Sequence, residues 1–147
     1  MQRERPKSMS ESNTYRAYFT LVGEFDPGEI TAHLKLQPTR SWKKGDINPT
    51  TQRERNHSRW CLDSRIDEAV ALEEHVSDVL DQLRPHISAI SELRATVDGG
   101  MQLVAYFHTD YPGFSLDDSA IFELAQLRLG IDCDFYFLYS HKREDSE

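Results

Sequence analysis

Residues 15–24 carry a period-2 pattern with one wholly apolar face. Tyr15, Ala17, Phe19 and Leu21 share one face, and Tyr18, Thr20 and Val22 make the other half-apolar. This pattern predicts a central strand covered on both sides. Asp26-Pro27-Gly28-Glu29 follows. It supplies an N-capping acid, a proline at the first helical position and a glutamate three residues after the cap. A helix is expected from there to about Leu36, with Ile30 and Leu34 inward and Gln37-Pro38 ending it. Residues 37–57 then read as a long polar loop, and Trp60 and Leu62 alternate in a short strand over 58–63.

The strongest helical signal covers residues 66–84. Ala69, Leu72, Val76, Val79, Leu80 and Leu83 form a stripe at helical spacing. Pro85 breaks it, and Ile87 and Ile90 continue it in a second helix to about Leu93. Residues 95–97 and 101–109 flank Asp98-Gly99-Gly100, which reads as a hairpin around a glycine turn. Ser115-Leu116-Asp117-Asp118 caps a last helix carrying Ile121, Leu124 and Ala125, with Gly130 at its C-terminal stop. The last strand, 131–139, places Ile131, Cys133, Phe135 and Phe137 inward and Asp132 and Asp134 outward.

The expected order is β-α-β-α-β-β-α-β. The first and last strand–capped helix–strand units echo one another. Together they predict an α+β fold of ferredoxin-like type: two βαβ units in a mainly antiparallel sheet, helices packed on it, and a long extra helix between the halves. Residues 14–140 read as one domain. The polar, charged stretches 1–13 and 141–147 read as disordered tails.

Composition narrows the function classes. A net charge of −8 disfavours general binding to a phosphate backbone. No apolar run reaches the roughly 18–20 residues of a membrane span, and the N-terminus lacks an apolar leader, so a cytoplasmic protein with no membrane association is expected. Cys61 and Cys133 lie in apolar strand stretches without a C-x-x-C pattern, which predicts two buried free thiols. The six histidines are scattered, so neither a metal site nor a cofactor is implied. There is no G-x-S-x-G and no glycine-rich phosphate loop. Asp117 and Asp118 are accounted for by helix capping, Trp60 by the core, and Tyr106, Tyr111, Phe114, Tyr136 and Tyr139 by strand and corner packing.

One segment stands apart. Residues 37–59 hold Arg40, Lys43, Lys44, Arg53, Arg55 and Arg59 against only Asp46 and Glu54, with Trp42 among them. Arginine supplies forked hydrogen bonds, and a tryptophan in a polar loop is costly to leave wet. Arg40, Trp42, Lys43, Lys44 and Arg59 are therefore the candidate ligand- or partner-binding residues. The plainer alternative folds Trp42 back as a lid on the sheet and pairs the bases with the acidic helix around 67–81.

Several segments in order resemble the DUF4279 family, bacterial domains of unknown function. They are Phe25-Asp26-Pro27-Gly28-Glu29-Ile30, Leu34-Lys35-Leu36-Gln37-Pro38-Thr39, Lys44-Gly45-Asp46, Trp60-Cys61-Leu62, and the closing stretch 116–136. The resemblance spans about residues 15–139. It departs at Lys35, where the family often has glycine. It implies a fold and carries no catalytic residues.

The favoured functional reading is a non-enzymatic binding module, of immunity or accessory type, for a protein partner. Its alternative is a sensor of a small anionic ligand using loop 37–59, with the ligand at a homodimer interface. An enzyme holding a phosphorylated or carboxylated substrate on Arg40, Lys43, Lys44 and Arg59 ranks last, because no general base accompanies them.

Overall fold

The computed structural model describes residues 11–140. The chain runs β1 (Thr14–Gly23), α1 (Pro27–Leu34), β2 (Arg40–Trp42), β3 (Ser58–Asp63), α2 (Leu72–Leu83), α3 (Ile87–Arg94), β4 (Asp98–Phe107), α4 (Asp118–Gln126) and β5 (Ile131–Phe137). The five strands form one mixed sheet in the order β2-β3-β1-β4-β5. β1 is central and antiparallel to both β3 and β4, while β5 is parallel to β4. The fold is α+β. Among the described residues no helix is long and apolar enough to cross a membrane.

Strand parity places the core. Ala17, Phe19 and Leu21 of β1 share a face with Trp60 and Leu62 of β3 and with Met101, Leu103, Ala105 and Phe107 of β4. Ile30 and Leu34 of α1, Val76, Val79, Leu80 and Leu83 of α2, Ile90 of α3 and Leu124 of α4 all pack into that same core. Burying this apolar surface is the main favourable term in the fold. Trp60 is fully buried and meets Phe19 edge-to-face. Its indole N–H donates to Thr31 Oγ1 at 3.0 Å, so the polar end of the ring is satisfied inside the core.

The Asp26 cap acts as expected, whereas α4 is capped by Asp117 and not by Ser115. Asp26 accepts a hydrogen bond from the Gly28 N–H at 2.9 Å and opens α1, and Asp117 accepts from the Ala120 N–H at 2.9 Å and opens α4. Pro85 lies in a 3₁₀ turn, Arg84–His86, that separates α2 from α3. α1 ends at Leu34, and Lys35 takes the left-handed conformation at φ 57°. That conformation accounts for glycine's suitability there.

Several expectations are corrected. The two predicted βαβ units, 15–24 to 58–63 and 101–109 to 131–139, are not a matched pair. β1 and β3 are antiparallel neighbours, with Leu21 opposite Trp60, and only β4-α4-β5 returns in parallel to its neighbour. The order of elements along the chain departs from the predicted β-α-β-α-β-β-α-β for two local reasons. β2 is a three-residue strand inside the segment read as loop, too short and polar to show a period. Asp98-Gly99-Gly100 is not a turn but the start of β4, paired with Val22, Leu21 and Thr20. A Cβ on Gly99 would meet the Thr20 carbonyl oxygen at 2.4 Å, so this glycine permits close backbone approach.

β1 is covered by helices on one face only, not both. Cys133 is exposed rather than buried, because β5 lies at the sheet edge. α2 begins at Leu72 rather than 66. Asp67 first makes a turn, its side chain accepting from Ala69 N–H at 2.8 Å and its carbonyl from Val70 N–H at 3.0 Å. Residues 1–10 and 141–147, most of the two expected tails, lie outside the described residues. Asn13 is tied to the exit of β4, its Oδ1 accepting from His108 N–H at 2.6 Å.

His75 is buried beneath the Asp67 turn. Its Nε2–H donates to the Asp67 carbonyl at 3.1 Å, and its Nδ1 accepts from Ser64 Oγ at 2.6 Å, an arrangement that suits the neutral ring. Burial pushes its pKa below the ordinary value, outweighing the carbonyl contacts and nearby acids that favour the charge.

Lys35→Gly is expected to raise stability by about 0.5–1 kcal/mol, since it relieves a left-handed non-glycine residue, whereas Gly99→Ala is expected to lower it by about 1–3 kcal/mol through overpacking against β1. Urea unfolding of both variants checks this. The depressed His75 pKa means the unfolded chain takes up a proton first. Its contribution to stability is therefore present above the unfolded pKa near 6.5 and is lost as pH falls below it. The urea midpoint of His75→Gln, compared with the parent between pH 7.5 and 5, is expected to show the shallower pH slope.

Candidate functional site

The face of the sheet turned away from the helices carries the segment singled out by sequence. Register places Arg40 and Trp42 of β2 on this face with Arg59, Cys61 and Asp63 of β3 and Arg16, Tyr18 and Thr20 of β1. The four helices contribute their buried residues to the opposite face. Thr20, Cys61 and Val104 on the helix-free face are nevertheless buried, because long side chains lie across them.

Those side chains form a continuous arginine–aromatic layer. The Arg40 guanidinium lies 4.6 Å from the centroid of the Tyr18 ring, with Arg16 at 5.2 Å from the same ring. Arg40 also grips Asp63 with two hydrogen bonds, Nη2 to Oδ1 at 2.7 Å and Nε to Oδ2 at 3.3 Å. Partial burial works against its charge, but the Asp63 carboxylate more than compensates and holds its pKa above the ordinary arginine value. Arg59 Nη1 donates to Thr20 Oγ1 at 3.0 Å. Arg55 lies over the Trp42 ring, 3.8 Å from its centroid, and its Nε is shielded from solvent with no hydrogen-bond partner among the described residues. A cation stacked on an aromatic face is attracted by the ring quadrupole and keeps its edge donors available.

Arg55 reaches Trp42 because residues 43–57 are ordered by their own hydrogen bonds. Gly45 N–H donates to the Arg55 carbonyl at 2.9 Å, Arg55 N–H to the Asp46 carbonyl at 2.7 Å, and Asn48 N–H to the Arg53 carbonyl at 2.8 Å. A β-bridge joins Ile47 and Glu54. The Asn48 side chain caps the tip, accepting from Thr50 N–H at 2.9 Å.

Of the five residues proposed from sequence, the fold gathers Arg40, Trp42 and Arg59 on one surface. Lys44 pairs with Glu24 at 2.8 Å, and that contact holds the Glu24 carboxyl below its usual range. The Lys43 N–H is used by Asp46 at 2.8 Å, and Lys43 itself is exposed at the turn after β2. Trp42 is not a lid on the core: it is a half-buried strand residue on the helix-free face, beneath Arg55. Nor do the loop bases pair with α2. Its Asp78 is engaged by Arg65, from outside the segment, at 2.8 Å.

Arg16, Tyr18 and Arg55 were not singled out by sequence reasoning. The period-2 parity of β1 held the signal for the first two. The third depends on the fold of the 43–57 excursion.

The other aromatics behave as packing residues. Tyr106 and Tyr136 stack at 4.8 Å, and Phe114 meets Phe135 edge-to-face at 6.3 Å. A cavity of about 160 Å³ lies on the helix side at the exit of β4, lined in part by Tyr15, Leu72, Phe107 and Phe114. Another of about 140 Å³ lies at the far end of the helix-free face, between Arg16, Glu68, Val104 and Tyr106. Arg16, at the β1 end of the layer, borders the second hollow, whereas Arg40, Trp42, Arg55 and Arg59 line neither.

Comparison with known proteins adds one finding. The family described as "Domain of unknown function (DUF4279)" matches residues 13–138, from the approach to β1 through the end of β5. Nothing among curated proteins or solved structures matches the chain. The matched span takes in every strand and helix of the sheet and its helical layer, and the chain belongs to the DUF4279 family.

Proposed function

We propose that this chain is a non-enzymatic binding module that docks a protein partner on the β2–β3–β1 part of its helix-free sheet face. The observation that carries the reading is the layer formed by Arg16, Tyr18, Arg40, Trp42, Arg55 and Arg59. Tryptophan and arginine are the residues most enriched among interface hot spots. Here Arg16, Arg40 and Arg55 lie over aromatic rings, Arg40 is also held by Asp63 and Arg59 by Thr20, so less side-chain entropy remains to be lost on binding. The layer is spread over three strands. Small-molecule sites are usually concave and bury most of their ligand, so this shape favours a macromolecular partner bearing carboxylates. An immunity- or accessory-type role in the cytoplasm is the setting that suits such a module.

A second reading, a small anionic ligand, has one observation in its favour. The shielded Arg55 Nε has no hydrogen-bond partner among the described residues, and an oxyanion reaching it would supply one.

The ferredoxin-like reading of the fold also belongs here. β2 runs parallel to β1 with β3 between them, and β4 runs parallel to β3 with β1 between them. This interleaving supports a βαβ pair over β1–β4, with α4 and β5 added at the edge.

Capture of a partner from host lysate on the immobilised chain, compared with Trp42→Ala and Arg55→Ala at low and high salt, tests the reading. A stoichiometric protein held by the parent is expected to bind each variant at least about 2 kcal/mol more weakly, roughly thirty-fold in Kd, and to be released by salt. Undiminished capture by both variants contradicts the reading. If no partner is captured and phosphate or citrate raises the Tm of the parent but not of Arg55→Ala, the small-ligand reading replaces it.

A further inference from the structure

The sheet ends on β5, and among the described residues no further strand pairs with this edge. β5 pairs with β4 in one continuous register, Met101 opposite Ile131 through Phe107 opposite Phe137, without a bulge. It contains no proline, lysine or arginine. Native edge strands are commonly blunted by such features, because their unpaired backbone groups are a template for another strand.

The ladder's parity identifies those groups. Met101 N–H donates to the Gly130 carbonyl at 2.9 Å, and Leu138 N–H to the Phe107 carbonyl at 2.8 Å. In a parallel pair each residue directs both its backbone groups to the same side, and successive residues alternate. Asp132, Asp134 and Tyr136 therefore face β4 with their backbone. Ile131, Cys133, Phe135 and Phe137 direct N–H and C=O outward.

The side chains sort by face as well. On the helix side Ile131 is 37% and Phe137 54% exposed, with Phe135 packed against the core between them. On the helix-free side Asp132 and Asp134 are both exposed, and neither has an ion-pair partner among the described residues. Among the described residues the Asp134 side chain accepts from Gln102 alone, at 2.9 Å.

We propose that the β5 edge is a docking site for a strand of a partner protein in which apolar and basic residues alternate, added to the sheet as a sixth strand. Backbone hydrogen bonds to the outward residues supply the pairing, and alternate side chains supply selectivity. Charge complementarity chooses the occupant: Lys or Arg beside Asp132 and Asp134 on one face, apolar residues beside Ile131 and Phe137 on the other. A second copy fits poorly. Antiparallel self-pairing centred on Cys133 sets Asp132 against Asp134, centred on Asp134 it sets that acid against its copy, and in every register β5 offers these acids no Lys or Arg. The three-residue β2 edge of another copy is too short to pair all four outward residues. The site is distinct from the arginine–aromatic layer, which lies on β2, β3 and β1: β4 separates the two, and the nearest strand of the layer, β1, is roughly 10 Å from β5.

The test uses the full chain and two labelled nine-residue peptides, one alternating valine with lysine and one alternating valine with glutamate. Cys133 is an exposed thiol and Cys61 a buried one, so the alkylation rate of Cys133 reports cover on this edge. The lysine peptide is expected to slow Cys133 alkylation at least about ten-fold at saturation, more weakly at high salt, and the glutamate peptide to have no effect. The double variant D132K/D134K is expected to reverse the preference. Cys133→Pro removes one outward N–H and leaves the β4-facing groups in place, so it is expected to abolish peptide binding by anisotropy. If that variant does not fold, the charge-reversed pair decides alone. Equal binding of both peptides, binding without Cys133 protection, or no protection at millimolar peptide overturns the proposal. So does growth of the free chain's mass with concentration that the lysine peptide does not reverse, which gives the edge to a second copy.

Discussion

The antiparallel pairing of β1 on both sides is the constraint on which the other features depend. Because Leu21 lies opposite both Trp60 and Gly99, the parity of three strands is set at once. A slip of one residue would exchange the faces of every side chain in a strand. That register sends Phe19, Leu21, Trp60, Leu62, Met101 and Leu103 to the helices and leaves Tyr18, Arg40, Trp42 and Arg59 on the other side. Gly99 belongs to the same constraint, since a Cβ there would collide with the backbone of β1.

A two-layer arrangement leaves one sheet face without helices, and this chain covers it with its own long side chains. Arg16 and Arg40 lie over Tyr18, Arg55 over Trp42, and Arg59 reaches Thr20. Each guanidinium shields apolar strand surface with its stem or plane and keeps charge near water. The result is a surface both pre-ordered and basic within a chain of net charge −8. The far edge of the same sheet carries Asp132 and Asp134. The polarity runs across the strands, from a basic β2 edge to an acidic β5 edge, and separates the two surfaces proposed here.

Much of the secondary structure was legible because its signals are local. Asp26-Pro27 and the Asp117 cap act through neighbouring N–H groups, and Pro85 through its own ring. The core faces of β1, β3 and β4 followed from their period-2 pattern. The topology was harder because it turns on weak or ambiguous signals. β2 is three residues long, and the glycine pair of β4 has the composition of a turn while serving a close strand contact. The start of α2 was displaced by Asp67, whose side chain offers the backbone a turn in competition with the helix. At the candidate site, the basic bias of residues 37–59 and Trp42 marked the segment that supplies Arg40, Trp42, Arg55 and Arg59 to the layer. Which bases remain available was a tertiary matter: Lys44 meets Glu24 and Arg40 meets Asp63, partners 20 and 23 positions away. Arg16 and Tyr18 join the layer only once β3 is placed between β1 and β2.

Collisional quenching of the two tryptophans tests the central claim that the helix-free face is an accessible, anion-attracting surface. Trp60 is fully buried in the core, whereas Trp42 is partly open to solvent beneath Arg55. The account predicts that iodide quenches one of the two tryptophans, much more effectively than caesium, that added salt narrows the difference, and that Trp42→Phe removes the quenchable fraction. Quenching by caesium as strong as by iodide, or a Trp42 inaccessible to both, would contradict it.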